Sequence, residues 1–271
     1  MRLSKFTAIS SYVILGVFTL VALSPVVYTV YTSLQFPEDY ERWVGLGNLT
    51  LQNYIFITEK APIGRWYFNT ILVTLIVVLA NLVMDTLAGY ALARFSFPGK
   101  NLIFILVLGV MIVPLQTYLI PLYIMMAQLR WLNSYLALTF PLMIFPFGIF
   151  LMRQFFLTIP KELEDAAKVD GLGRLGTLVR IILPISKTPL ATLSILSIIW
   201  TWNNFILPVT MVNDPDYYVV TVGLNSLKDA NFNWPTVTMA GVMYLTIPLT
   251  LTFIFLQKYF IKSIATSGLK G

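Results

Sequence analysis

The sequence predicts an all-α polytopic membrane protein with six transmembrane helices and both termini in the cytoplasm. Composition is the first reason, because the 271 residues are 58% hydrophobic and only 11% charged, whereas ordinary soluble domains carry about 25% charged residues. Too few polar side chains remain to cover a water-facing globule. The second reason is that several uncharged runs reach or approach the roughly 20 apolar residues that cross a bilayer as a helix.

Six hydrophobic runs supply the predicted spans, and residues 1–271 are interpreted as a single transmembrane domain. A β-barrel is the structural alternative, but the runs lack strict alternation of apolar and polar residues and are too long for membrane strands. The first run also exceeds the apolar core of a cleaved signal peptide, so we expect it to remain as an anchor. The spans are expected at about 10–34, 67–93, 102–127, 134–154, 188–210 and 237–258.

The positive charges predict the orientation. With a cytoplasmic N-terminus, thirteen of the 18 lysines and arginines fall in inner segments and five in outer ones, as the preference for positive charge on the cytoplasmic side requires. The net charge of +6 is therefore mainly a matter of membrane orientation. Because the basic residues are spread over several short loops, no nucleic-acid partner is indicated.

The chain contains no cysteine and no histidine. It therefore has no disulfide and no thiolate metal site, and it lacks the commonest metal ligand and proton carrier. We predict neither a catalytic nor a metal site. Asp85 is the one ionisable residue well inside a predicted span, and an acid at that depth is costly unless it faces protein or water. It could line a translocation path, or it could hydrogen-bond a neighbouring helix or pair with Arg94.

The inner segment, at about residues 158–184 between the fourth and fifth spans, is predicted to be structured. Pro160 suits the first turn of a short helix, and the acids of Glu162–Asp165 favour its positive end. Gly171 should end that helix as a left-handed cap.

Two apolar patterns mark the inner segment as a surface for another protein. Leu163, Ala166 and Ala167 predict a small smooth face on the first helix. A second amphipathic helix is expected to end at Pro184, with an apolar face of Leu175, Leu178, Val179 and Ile182. The pair could fill a groove on a partner protein, or it could pack beneath the bundle. The G-x-G-x-x-G spacing of residues 171–176 follows no strand and predicts no nucleotide site.

At these residues the sequence resembles a family. Asp165-Ala166-Ala167, then Asp170-Gly171, then Ile181, Leu183 and Pro184 are similar in type and spacing to the EAA loop in permease subunits of bacterial ATP-binding cassette importers. Residues 88–100, 120–123, 147–156, 202–205 and the tail resemble the carbohydrate-uptake type, in particular its smaller, maltose-transporter-like subunit. Two positions depart from the pattern, since Asp165 replaces the usual glutamate and Asn204 replaces an aspartate.

The resemblance implies a type I importer permease fold in the bacterial cytoplasmic membrane. It also implies a second homologous permease, two ATPase subunits, an extracellular solute-binding protein and an oligosaccharide-like substrate. ATP and Mg²⁺ would bind the ATPases, so this chain is expected to bind no cofactor and to be no enzyme. Residues 161–176 would couple to the ATPases, with either Glu164 or Asp165 meeting them. The coupling residues would be Glu164, Asp165, Ala166, Ala167, Asp170 and Gly171, and the tail residues Ser267, Gly268, Leu269, Lys270 and Gly271 could also contact the ATPases.

Contacts with substrate and binding protein are less sharply predicted. The candidates for the translocation path are Asp85, Gln116, Tyr118, Trp202, Asn203 and Asn204. Each could equally join membrane helices by hydrogen bonds or packing. Residues 213–235 are expected to form a long outer loop that meets the binding protein through aromatic residues such as Phe232 and Trp234, although Trp234 could instead belong to the interfacial belt.

The sequence therefore predicts the membrane-spanning permease subunit of an ATP-driven, binding-protein-dependent sugar importer. The alternative is an autonomous secondary carrier or channel, which should contain internal repeats and more ionisable residues in its spans. An intramembrane enzyme is a remote third class, because histidine, cysteine and a paired intramembrane acid are all missing.

Overall fold

The computed structural model describes the backbone of residues 5–229 and 234–267, and the side chains of residues 10–227 and 234–255. Within these residues the secondary structure is helical and contains no strand, as predicted. Short 3₁₀ turns lie at residues 37–39, 46–48, 140–142 and 215–217, and a π-helix at residues 178–182. The α-helices are α1 (Lys5–Ser33), α2 (Gln52–Lys60), α3 (Ile63–Arg94), α4 (Lys100–Ile112), α5 (Leu115–Gln128), α6 (Tyr135–Thr139), α7 (Pro146–Thr158), α8 (Glu162–Val169), α9 (Arg174–Thr177), α10 (Leu183–Ile185), α11 (Lys187–Trp202), α12 (Ile206–Met211), α13 (Val220–Asp229) and α14 (Pro235–Ser267).

Four helical segments are long and apolar enough to cross a membrane by themselves: Ser10–Ser33, Ile63–Arg94, Tyr135–Thr158 and Pro235–Phe255. Two further pairs pass the same test together but are sharply bent. Helices α4 and α5 meet at 101°, and the segment Arg174–Ile185 meets α11 at 82°. By length and composition, the described chain thus contains four candidate spans, or up to six if each bent pair counts as one.

The bends have local causes. Val113 stands before Pro114 and takes an extended conformation, because the proline ring disfavours helical geometry in the residue before it. The second bend lies at Ser186, whose φ and ψ of −93° and 15° leave the helical region. Beyond α11 the chain breaks again before α12, so the predicted fifth span at about 188–210 is two helices rather than one.

The described residues divide into two compact units. One takes in the chain up to Ile63 together with Leu224–Pro248. In this unit Asn53 of α2 is buried, and its Nδ2 donates to the carbonyl oxygens of Ser33 at 2.9 Å and Gln35 at 2.7 Å. The hydroxyls of Ser33 and Tyr54 lie 2.8 Å apart. These bonds fix the turn that follows α1, while most side chains along α1 itself are exposed.

The other unit takes in Gly64–Gly223 together with the described residues from Leu249 onward. Helix α3 runs through both of its hydrophobic clusters. The first cluster packs Val73 and Val77 of α3 against Leu207 and Met211 of α12. The second cluster is built from Tyr90 and Ala93 of α3, Met152 and Phe156 of α7, Ile159, Leu178, Ile182 and Leu193.

Gly89 lets α3 approach α7 closely in the second cluster. A Cβ at this position would lie 2.8 Å from the Cβ of Met152 and 2.9 Å from the backbone nitrogen of Arg153. Both distances are shorter than real side chains tolerate, so only glycine allows this helix contact.

The segment after α12 differs from the expected long loop at residues 213–235. A 3₁₀ turn, Pro215–Tyr217, leads into α13, and Asn69 of α3 holds the turn by donating to the carbonyl oxygens of Asp216 and Tyr218, both at 2.8 Å. The hydroxyl of Tyr135 donates to Asn69 Oδ1 at 2.7 Å. Sequence pattern alone could not reveal these long-range bonds. Phe232 lies outside the described residues.

Candidate functional site

Helix α8 forms where the sequence predicts it. The carbonyl oxygen of Lys161 accepts from the backbone nitrogens of Glu164 at 2.9 Å and Asp165 at 3.0 Å. At the other end Gly171 takes a φ of 79°, Gly171 N donates to Lys168 O at 3.0 Å, and Leu172 N donates to Ala167 O at 2.9 Å. This pair of bonds is the Schellman arrangement, which satisfies carbonyl groups at a helix end.

The predicted smooth face of α8 is divided between two sides of the helix. Ala167 is fully buried, whereas Ala166 is exposed and Leu163 is 41% exposed. The reason is helical geometry, because residues 166 and 167 point about 100° apart. The outward surface instead includes Asp165, Ala166 and Val169, and Val169 is the most exposed of the large apolar residues at 88%. The sequence prediction missed Val169.

The two candidate carboxylates on α8 face different environments. Glu164 points inward, and its Oε1 lies 2.7 Å from Nε of Arg94, with the two side chains 15% and 5% exposed. Asp165 points outward, and its Oδ1 lies 2.7 Å from Nζ of Lys168, with both side chains 67% exposed. The hydrogen bond from Lys168 holds the pKa of the Asp165 carboxyl below its usual value.

The second part of the inner segment continues further than predicted. Leu178 and Ile182 are buried in the second cluster, while Leu175 and Val179 are 69% and 58% exposed. The helix does not end at Pro184 but runs to Ile185. The π-helix at residues 178–182 precedes that proline, and the Ser186 hydroxyl donates to the Ile182 carbonyl oxygen. The hydroxyl replaces the backbone nitrogen of Ser186, which donates to the Leu183 carbonyl oxygen at 3.0 Å instead of to Ile182.

Asp85 is fully buried and contacts the start of α7. Its Oδ1 accepts from the backbone nitrogen of Phe145 at 3.1 Å, next to the positive end of α7. The sequence left open whether Asp85 hydrogen-bonds a neighbouring helix or pairs with Arg94. The hydrogen bond is the one observed, because Arg94 pairs with Glu164 instead. Gly148 leaves the room for the carboxylate, because a Cβ there would overlap Oδ2 of Asp85.

Asn81, one turn earlier on α3, joins three elements. In the amide orientation that satisfies all its groups, its nitrogen donates to the carbonyl oxygens of Leu142 at 3.0 Å and Met143 at 2.8 Å. Its oxygen accepts from the Ser197 hydroxyl at 3.0 Å. Asn81 therefore ties α3 both to the irregular stretch before α7 and to α11.

A cavity of about 390 Å³ lies beside these bonds. We call it the bend cavity, because its lining includes Val113 and Pro114 at the bend between α4 and α5. Its wall is mostly apolar, and within the described chain it contains no charged side chain. Polar and aromatic groups in the wall include Asn81, Tyr118, Phe145, Ser197, Trp200 and Thr201.

The other predicted path residues are scattered. Gln116 is exposed but does not line the bend cavity. Trp202 is 8% exposed and lies in the core. Asn203 Nδ2 donates to the Ile199 carbonyl oxygen at 2.8 Å, which closes the end of α11, and Asn204 Oδ1 accepts from Leu207 N at 3.2 Å at the start of α12. Tyr118 is thus the predicted path residue that reaches the cavity, and Asn81, Ser197, Trp200 and Thr201 were not among the candidates.

Two other expected contact regions lie partly outside the described residues. Ser267 is the last residue of α14, and Gly268–Gly271 are not described. The proposed role of the tail stays a prediction. Trp234 is 45% exposed, and its ring lies 5.7 Å from that of Phe56.

Comparison with known proteins identifies relatives among transport permeases. Residues 85–266 match the family described as the binding-protein-dependent transport system inner membrane component. The sequence is 35% identical over 224 residues to the arabinooligosaccharides transport system permease protein AraQ of Halalkalibacterium halodurans. The aligned residues cover 82% of this chain and 80% of the relative. It is 31% identical over 267 residues to the probable ABC transporter permease protein YurM of Bacillus subtilis. This alignment covers 97% of the chain and 88% of YurM.

A third relative is named for a different substrate. The sn-glycerol-3-phosphate transport system permease protein UgpE of Yersinia enterocolitica is 32% identical over 212 residues, which cover 77% of this chain and 75% of the relative. Among solved structures, a chain of a bacterial ABC transporter involved in the import of the acidic polysaccharide alginate matches with a TM-score of 0.80. That match has 23% identity and covers 96% of this chain and 99% of the other. At this identity the likeness shows the fold.

The family match covers well over half of the chain, and the relatives above 30% identity cover more than two thirds of it. The fold agrees with that of an ABC importer permease. The chain therefore belongs to the family of binding-protein-dependent transport system inner membrane components, as the sequence resemblance predicted, and is a multi-pass bacterial membrane permease.

Proposed function

We propose that this chain is one half of the membrane pore of an ATP-driven sugar importer. It would work with a second homologous permease, two ATPase subunits on the cytoplasmic side and an extracellular solute-binding protein. The observation that carries the proposal is the combination of family membership with an inner segment whose first helix is capped at Gly171 and presents an outward face.

The outward face of the inner segment is the proposed ATPase contact. Asp165, Ala166 and Val169 share one side of α8, and Leu175 adds a second exposed apolar side chain. An apolar centre with charged neighbours suits a groove on a partner protein. Because Glu164 is engaged by Arg94, Asp165 is the carboxylate available to a basic residue of the ATPase.

The residues that line the bend cavity favour an uncharged substrate. Sugars are typically held by aromatic rings and by groups that exchange hydrogen bonds, and the cavity wall contains Trp200, Tyr118 and the hydroxyl of Thr201. A phosphate ester would call for arginine or lysine, and the described cavity wall contains neither. We therefore propose that the substrate is an oligosaccharide, the class for which AraQ is named, rather than a glycerol phosphate, for which UgpE is named.

Chemistry would belong to the partners. ATP and Mg²⁺ would bind the ATPase subunits, and this chain would bind no cofactor of its own. Its part is to convert closure of the ATPase pair into an exchange between inward and outward access.

The test is uptake in proteoliposomes that contain this chain with the permease, ATPase and binding protein encoded beside it. Labelled arabino-oligosaccharides, maltose and sn-glycerol 3-phosphate would be compared with and without internal ATP. We expect oligosaccharide uptake that requires both ATP and the binding protein. A Val169→Asp variant should lose uptake by weakening ATPase binding, whereas Val169→Thr, which keeps the shape of the side chain and adds no charge at the same exposed position, serves as the matched control.

Two outcomes would contradict the proposal. Uptake by this chain alone, independent of ATP, would favour the autonomous carrier. ATP-dependent uptake of glycerol phosphate with no oligosaccharide uptake would keep the importer but overturn the substrate class.

A further inference from the structure

The buried ion pair between Arg94 and Glu164 fastens α8 to the end of α3, and we infer that α3 is the helix through which movement of α8 reaches the bend cavity. In this view Arg94 and Glu164 are positioning residues that transmit force. The inference rests on the proposed function, because it assumes that α8 contacts an ATPase.

The ion pair holds two elements together through short-range charge attraction. Nε of Arg94 and Oε1 of Glu164 lie 2.7 Å apart without hydrogen-bond geometry, and the two side chains are 5% and 15% exposed. Arg94 also donates from Nη2 to the carbonyl oxygen of Ile159, in the stretch that leads into α8. One guanidinium thus contacts both α8 and its approach. Because water is largely excluded, separation of the pair would leave a charge uncompensated, which is strongly unfavourable.

Further contacts join the same end of α3 to α7. Arg153 of α7 donates from Nε to the carbonyl oxygen of Leu92 at 3.3 Å. The ring of Tyr90 meets that of Phe156 edge to face, with centroids 5.6 Å apart. The last turn of α3 and the end of α7 are therefore packed together, and the ion pair of Arg94 with Glu164 joins α8 to this block.

Helix α3 then extends from this block to the bend cavity without interruption. It is 32 residues long and contains no proline. Asp85 and Asn81 lie nine and thirteen residues before Arg94, or about 14 and 20 Å along the helix axis. Asp85 contacts the start of α7 through Phe145 N, and Asn81 bonds to Leu142, Met143 and Ser197.

Both ends of this part of α3 are therefore held by polar side chains. At one end Arg94 holds α8, and at the other Asn81 holds the irregular stretch beside the bend cavity, whose wall includes Leu142 and Ser197. An unbroken helix is stiff compared with the bent pairs around it. A displacement of α8 should consequently move the cavity wall, whereas a weakened ion pair should let α8 move alone.

The experiment measures sugar transported per ATP hydrolysed in the complete reconstituted complex. Glu164→Gln removes the charge at nearly constant volume, and Glu59→Gln makes the same change at an exposed position of α2, outside the inner segment. We expect Glu164→Gln to retain ATP hydrolysis while sugar transported per ATP falls about tenfold, a factor typical of coupling between two sites. Glu59→Gln should behave like the unmodified protein.

A distance measurement separates transmission from simple loss of activity. The chain has no native cysteine, so spin labels can be attached at Leu87→Cys on α3 and Leu163→Cys on α8, both partly exposed positions. In the unmodified background the distribution of distances between the labels should be narrow and should stay the same when the ATPases close. In the Glu164→Gln background it should broaden and change with ATPase closure.

Each outcome is decisive. Unchanged transport per ATP and a narrow distribution in Glu164→Gln would overturn the inference while leaving the importer proposal intact. Absence of ATP-dependent uptake in the unmodified complex would instead overturn the proposed function. If Glu164→Gln prevents assembly, the exchange Arg94→Glu with Glu164→Arg decides the matter: recovered assembly supports the ion pair as the fastening, and continued failure overturns it.

Discussion

Two ion pairs on α8 have the same N to O distance of 2.7 Å and opposite surroundings. Arg94–Glu164 is nearly buried and joins two helices, whereas Lys168–Asp165 is mostly exposed and lies within a single helix. A solvated pair adds little because water screens the charges and both side chains lose freedom. A buried pair is costly to break because each charge needs the other. Adjacent acids in the sequence can therefore have unrelated roles, one structural and one available to a partner.

The largest effect is expected when one charge is removed from the buried ion pair. Arg94→Met leaves Glu164 inside without its partner, and we expect the local stability of α8 to fall by about 3–5 kcal/mol. Amide hydrogen exchange of α8 in nanodiscs would measure the change as lost protection.

The double variant Arg94→Met with Glu164→Leu is the control. An apolar pair of similar volume often matches a buried ion pair in stability, so protection of α8 should return. Loss of protection that persists in the double variant would mean that the charges are not what Arg94→Met disturbs.

A second buried carboxylate sharpens the comparison, because Asp85 has no cationic partner among the described side chains. Gly148→Ala would place a methyl group against Oδ2 of Asp85 and within 2.7 Å of Cδ1 of Leu193. Such overpacking typically costs about 1–3 kcal/mol. We expect a lower thermal unfolding temperature for the purified protein.

Gly109→Ala serves as the reference, since a Cβ at that helical position meets nothing within 4 Å. Equal unfolding temperatures for the two variants would show that α3 and α7 are not in close contact at Gly148.

The smallest effect is expected at the exposed pair. Lys168 lowers the pKa of Asp165, so the favourable interaction is present above the ordinary pKa of an aspartate and is lost as the pH falls through the lowered value. Lys168→Gln should raise the pKa of Asp165 without a measurable change in unfolding temperature.

Nuclear magnetic resonance of labelled aspartate in the nanodisc-bound protein would follow this titration. A pKa of Asp165 that does not change on Lys168→Gln would contradict the pairing. A clear drop in unfolding temperature would contradict the assignment of this pair as solvated.

Local rules predicted much of the inner segment. Gly171 gave the correct end of α8 and the acids of the first turn its approximate start, although Pro160 lies before the N-cap, Lys161, and not in the first turn. Helix ends are predictable in this way because they depend on a few neighbouring residues. Length and hydropathy likewise predicted a multi-pass helical protein. These features need no knowledge of distant contacts.

Long-range contacts explain what the sequence could not predict. Arg94 and Glu164 are 70 positions apart, and no pattern in either segment indicates that they meet. The direction in which α8 faces decided that Ala167 is buried and Ala166 exposed. A long loop was expected at residues 213–235. Instead, hydrogen bonds from Asn69 hold the turn Pro215–Tyr217, and α13 follows it. The predicted end of the second inner helix at Pro184 was wrong by one residue, because Ser186, rather than Pro184, departs from helical geometry.

The 101° bend between α4 and α5 has a consequence for how the chain enters the bilayer. Helix α4 has 13 residues and α5 has 14, so each is about 20 Å long and neither alone crosses hydrocarbon that is about 30 Å thick. The apolar stretch from Lys100 to Gln128 can therefore enter the bilayer only as a bent pair of helices, a broken span or a re-entrant loop. Neighbouring helices must then supply partners for the backbone groups that are freed at Pro114.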